Sequence, residues 1–210
     1  MTTLPPTLAA DMASSIYLMR ENLSIELIAD RFKQAVAINP KSSVAGRSGA
    51  SMIAKKSCFG LIAYGVNAYE NDVFVLLRGT ATGYDVLTDL NAGFALSKTG
   101  GKVHLGFNTC FNSLLTDLQD FVANHKGKPI RNIHCVGHSL GGALASMAAD
   151  WLSNKKIASD IKLYTFGSPR VGVNSFATTL THNIGGQNIF RAYHQTDPVS
   201  MVPLWPFVHV

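Results

Sequence analysis

Apolar residues recur along this chain either at helical spacing or in short unbroken runs, and the two patterns alternate. Leu8 to Met19 and Leu23 to Val36 read as helices, with Ser24 near the start of the second. Phe59 to Val66 and Val73 to Leu77 read as strands joined by the polar turn Asn67 to Asp72. Phe107 to Asn124 has Phe111, Leu114, Leu115, Leu118, Phe121 and Val122 at helical spacing and reads as an amphipathic helix. Beyond it come a strand at Ile133 to Val136, a helix at Gly142 to Leu152 and a strand at Ile161 to Phe166. A helix at Val173 to Thr181 and a strand at Asn188 to Tyr193 follow. Strands alternating with helices predict an α/β fold, a mostly parallel sheet with helices on both faces. In such sheets functional residues lie beyond the carboxyl ends of strands.

One such end carries Gly137-His138-Ser139-Leu140-Gly141, a G-x-S-x-G sequence between the apolar run Ile133 to Val136 and the helical run that starts at Gly142. Strand, sharp turn and helix form the context in which this pattern presents a nucleophilic serine. The turn strains the backbone at Ser139. Gly137 and Gly141 leave room where a side chain would meet the crossing helix. The free amides at the start of that helix favour a developing negative charge. A chance glycine-rich helix cap is the alternative, since the chain holds 18 glycines.

Composition narrows the picture modestly. The chain has 210 residues, 47% hydrophobic and 15% charged, which excludes disorder and fits a single domain over 1–210. An N-terminal helical segment, about 1–57, is expected to pack on that domain. The formal charge of +5 favours anionic surfaces such as phospholipid headgroups. Scattered basic residues, with no aromatic RNA-binding motif and no zinc-finger spacing, give no sign of a nucleic-acid partner. Protein partners are not legible. Cys58, Cys110 and Cys135 lack a C-x-x-C spacing and are expected to be buried free thiols. Neither a classical signal peptide nor a membrane-length apolar run is present, so a cytoplasmic location or export by a non-classical route is expected.

Ser139 needs a histidine base, and that base needs a carboxylate to orient it. Where the chain order is serine, acid, histidine, the partners lie after residue 139. Asp197 stands just past a strand and before Pro198. His209 follows the proline-stiffened loop Pro203 to Val208. They make the natural pair, although a turn-capping aspartate and a surface histidine account for the spacing equally well. A second oxyanion donor besides the Leu140 amide is offered by Thr80, where the strand Val73 to Leu77 ends.

These segments together resemble the class 3 lipases, the fungal-type lipases of the α/β-hydrolase fold. The resemblance is carried by Leu77-Arg78-Gly79-Thr80, by Val103 to Phe107, by Gly137 to Gly142, by Phe166 to Gly172, by Phe190 to Pro203 and by Phe207-Val208-His209. It implies Ser139 as nucleophile, Asp197 as orienting acid, His209 as base, and Thr80 with Leu140 as oxyanion donors. It assigns Ala81 to Asn91 to a lid, where Tyr84, Val86, Leu87 and Leu90 would face lipid; a plain surface helix is the alternative there. The family's lid tryptophan is absent.

The family also continues past its histidine, whereas this chain stops one residue after His209. Either the chain is truncated, or Trp205 and Phe207 anchor its tail, or activity is impaired. The implied function is hydrolysis of lipid acyl esters through an acyl-enzyme, with no metal or organic cofactor and with transient contact at a lipid interface. A phospholipase, perhaps a secreted effector, a short-chain esterase and a non-catalytic binding module are the other readings.

Overall fold

The apolar runs of the sequence become strands of a mixed sheet in the computed structural model, which describes residues 4–21, 38–46, 57–80, 93–125, 127 and 129–210. In chain order the elements are α1 (Pro6–Ser15), a 3₁₀ turn (Ile16–Glu21), β1 (Ile38–Gly46), β2 (Ser57–Gly65), β3 (Asp72–Leu77), β4 (Phe94–Leu96) and β5 (Lys102–His104). Then follow α2 (Leu105–Asn124), β6 (Ile130–His138), α3 (Leu140–Ser153), β7 (Ala158–Phe166), β8 (Gly172–Val173), α4 (Asn174–Ile184), β9 (Ile189–Ala192) and β10 (Phe207–Val208). Among the described residues the main sheet runs β1-β2-β3-β6-β7-β9, and a smaller one runs β10-β8-β5-β4. Strands β3, β6, β7 and β9 pair in parallel, while β1 and β2 add antiparallel edges.

Strand β3 is buried throughout, and its two-residue period divides the core. Val73, Val75 and Leu77 face the layer that holds Phe107 and Leu114 of α2, Leu144 of α3 and Phe176 of α4. Phe74 and Leu76 face the other layer, with Met12, Ala13 and Ile16 of the amino-terminal helical segment. Each such buried side chain contributes about 1.5–3 kcal/mol relative to exposure. Tyr164 fastens the beginning of the chain by donating its hydroxyl to the Leu4 carbonyl at 3.2 Å. At the start of α2, His104 Nδ1 accepts the Gly106 amide at 3.2 Å, an imidazole serving as the cap.

The structure differs from the sequence reading at several places. Ile38–Gly46, inside the amino-terminal stretch expected to be helical, is an edge strand paired with β2. Pro40 sits where its register slips, the kind of place a sheet tolerates proline. The small sheet was not foreseen, because strands of two or three residues show no period. The helix read at Leu23 to Val36 and the lid with Tyr84, Val86, Leu87 and Leu90 lie outside the described residues. All three cysteines are free thiols. Cys110 and Cys135 are buried, and burial pushes the Cys110 thiol up to about 12, whereas Cys58 is only half-buried. Among the described residues no helix is long and apolar enough to cross a membrane.

At the amino ends of β3 and β6 the fully buried Asp72 is surrounded by donors. Its Oδ1 accepts from Arg131 Nε at 2.9 Å and Asn132 Nδ2 at 3.0 Å, and its Oδ2 pairs with His134 Nε2 at 3.0 Å. Burial alone would raise this carboxyl. The hydrogen bonds from His134, Arg131 and Asn132 outweigh it and hold Asp72 below the ordinary carboxylate range. The stability it confers is therefore present above the unfolded pKa, about 3.9, and is lost as pH falls through the lower folded value. Asp72→Ala would leave His134 and Asn132 buried without their acceptor. Urea unfolding at neutral pH is expected to show a loss of about 3 kcal/mol.

Candidate active site

Ser139 stands between β6 and α3 with φ 55° and ψ −130°. That left-handed backbone is costly for a residue with a Cβ and recurs where function requires it. The surrounding glycines make the turn fit. A methyl on Gly137 would collide with the Gly141 carbonyl, and one on Gly141 with the carbonyl of Leu77. Helix α3 therefore starts directly against the ends of both β6 and β3. Ser139 is 7% exposed, and its side chain does not cap the helix, so the hydroxyl remains available.

The parallel register pairs Leu77 with Gly137, which brings the segment after β3 alongside the turn. Thr80 and Ser139 line a common cavity of about 440 Å³. Ala10, Ala13 and Ser14 of α1 form one wall of it, and Tyr17, His138 and Phe166 complete it. Among the described residues the buried Thr80 Oγ1 has no hydrogen-bond partner. Leu140 is fully buried as the first residue of α3, so its amide heads the helix next to Ser139.

Asp197 caps the short 3₁₀ turn Pro198–Met201, its Oδ1 accepting the Val199 amide at 3.0 Å. Its Oδ2 points toward Gly167, lying 3.0 Å from where a methyl on that residue would sit; His138 Nε2 lies 3.5 Å from the same point. The imidazole that feels Asp197 is therefore that of His138. Burial pulls the His138 pKa down, and the Asp197 charge opposes this. Neither the serine-to-base pattern nor the capping role of Asp197 had suggested this neighbour.

Among the described residues His209 makes no hydrogen bond to Ser139 or to Asp197. Antiparallel pairing of Phe207 with Val173 and Val208 with Gly172 fixes the direction of the strand before it. The ring then lies against two guanidinium groups, Arg191 Nη2 at 3.3 Å and Arg170 Nε at 3.5 Å from His209 Nε2. A nitrogen facing two such donors is an acceptor, so the proton belongs on Nδ1, which is buried and has no partner among the described residues. Burial, Arg191 and Arg170 together lower the His209 pKa to about 4. No group of three or more histidine, cysteine or acidic side chains fit to hold a metal occurs among the described residues.

The family model described as Lipase (class 3) matches residues 74–207. A secreted mono- and diacylglycerol lipase of Fusarium solani is 33% identical over 159 residues, covering 73% of this chain and 45% of that protein. Toxin TseL of Vibrio cholerae is 34% identical over 125 residues, 59% of this chain and 18% of the toxin. This chain thus spans less than half the length of either relative. Among solved structures, lipase II from Rhizopus niveus superposes with a TM-score of 0.73 at 23% identity, covering 97% of this chain and 76% of that one. At that identity the likeness is one of fold.

The arginine contacts of His209 have a measurable consequence. Its imidazole should titrate by NMR near pH 4 rather than near 6.5, and Arg191→Ala should move the midpoint back up. Because the folded pKa is depressed, this group contributes stability above about pH 6.5 that is lost as pH falls toward 4.

Proposed function

The chain belongs to the class 3 lipase family, and on that premise we propose that it hydrolyses acyl esters of lipids through a serine-bound acyl-enzyme. The observation that carries this reading is Ser139 itself, a strained serine facing a cavity that it shares with Thr80, whose buried hydroxyl has no partner among the described residues. In this reading Ser139 Oγ attacks the ester carbonyl and its proton passes to His209. The carbonyl oxygen becomes an oxyanion held by the Leu140 amide and by the Thr80 amide and hydroxyl. Collapse of the tetrahedral intermediate breaks the bond to the alcohol, which leaves with the proton returned by His209. Water then releases the fatty acid from Ser139. The wall of Ala10 and Ala13 offers the acyl chain apolar surface without filling the cavity.

Asp197 is the orienting acid of this proposal. Among the described residues no imidazole bonds the Ser139 hydroxyl. His209 could serve as its base only after its ring left Arg170 and Arg191. A second reading, an acyl hydrolase working as a toxin on phospholipid, draws support from the likeness to TseL and from the charge of +5.

Nitrophenyl esters of rising chain length, diacylglycerol emulsions and phospholipid vesicles test both readings. A fluorophosphonate probe should label Ser139, and Ser139→Ala should lower ester turnover at least about a thousandfold. Equal turnover by wild type and Ser139→Ala would overturn the proposal, and release of fatty acid from vesicles alone would favour the second reading. His209→Ala is expected to lower turnover on the scale of Ser139→Ala, and a loss of less than about tenfold would overturn its role as base.

A further inference from the structure

Tyr17, in the 3₁₀ turn after α1, reaches across the sheet to both halves of the site. Its hydroxyl lies 3.1 Å from the Gly79 amide nitrogen and 2.8 Å from His138 Nδ1. The amide can only donate, so the phenol oxygen accepts from Gly79. The phenol's own hydrogen is then free for His138. The Asp197 charge attracts a proton to the Nε2 side of that ring, which leaves Nδ1 as the acceptor. One chain of hydrogen bonds thus runs from the Gly79 N–H through Tyr17 to His138. It ties the segment after β3 to the residue before Ser139.

The contacts around Gly79 are close. A methyl there would collide with the Tyr17 hydroxyl and would lie 3.1 Å from Ser139 Cβ. The Tyr17 and His138 rings meet edge to face, with centroids 5.7 Å apart. The next residue along the chain is Thr80, whose buried hydroxyl has no partner among the described residues. Among the described residues the Gly79 amide has no acceptor other than Tyr17, so loss of the phenol oxygen would leave it without one.

We propose that Tyr17 is a positioning residue for the oxyanion hole, holding Gly79 so that Thr80 stays aimed at the oxygen bound beside Ser139. This rests on the hydrolase reading above. Tyr17 acts through Gly79 and takes no proton from the substrate. Burial raises its pKa, so the phenol stays protonated and the bridge intact across the neutral range.

Tyr17→Phe keeps the ring and removes the bridge. With a short nitrophenyl ester, kcat should fall by roughly tenfold to a hundredfold, because a small misplacement of a catalytic donor has effects of that size, while KM stays within about twofold. The same substitution in a Thr80→Ala background should cost less than it does in wild type, since both act on one donor. Hydrogen exchange of the Gly79 amide should quicken in Tyr17→Phe while the urea unfolding midpoint stays near that of wild type.

Unchanged kcat, a rise in KM alone, or fully multiplicative losses with Thr80→Ala would overturn the positioning role in an active enzyme. A kcat loss without faster Gly79 exchange would overturn it too. A wild type inert to every ester and to the fluorophosphonate probe would instead overturn the hydrolase reading, and with it this one.

Discussion

The parallel pairing of β3 with β6 is the constraint on which the rest of the arrangement depends. It begins at Asp72 opposite Asn132 and ends at Leu77 opposite Gly137. At its far end, Arg78, Gly79 and Thr80 leave one strand where His138 and Ser139 leave the other. A shift of that register by one residue would turn every β3 side chain to the opposite layer of the core. It would also carry Thr80 away from the serine. The close approach of Gly141 to the Leu77 carbonyl locks the same register from the helix side.

The two ends of this strand pair have opposite electrical characters. The amino end is closed around a charged carboxylate with its donors satisfied, and it holds the strands together. The cavity at the carboxyl end is lined by a phenol, an imidazole whose charged form burial disfavours, and the hydroxyls of Ser14, Thr80 and Ser139, with the Asp197 charge beside the imidazole. Positive charge gathers to one side of it, at Arg170 and Arg191 around His209. In the proposed reaction new negative charge develops there only when the carbonyl is attacked.

Much of this was legible in local sequence. The strand at Ile133 to Val136, the glycines around Ser139 and the apolar helix after it announce the turn within a dozen residues. The helix at Phe107 to Asn124 and the strands at Val73 to Leu77 and Ile161 to Phe166 are seen because their periods are long or their runs unbroken. What was not legible is held by distant partners. Tyr17 meets residues 62 and 121 positions away, and nothing in its own neighbourhood in sequence marks that encounter. Chain order and the resemblance single out Asp197 and His209, whereas the contacts of the His209 ring with Arg191 and Arg170 depend on the pairing of β10 with β8, which no local pattern announces. Strand β1 was hidden because its sequence is polar and contains Pro40.

The backbone at Ser139 has a consequence for how this protein can change. A residue forced to φ 55° carries a cost on the order of 1–3 kcal/mol, and glycine would carry far less of it. The turn would therefore fold more readily with glycine at this position than with serine. Random improvement for heat resistance would tend to discard the very side chain that faces the cavity, and only selection for turnover would keep it.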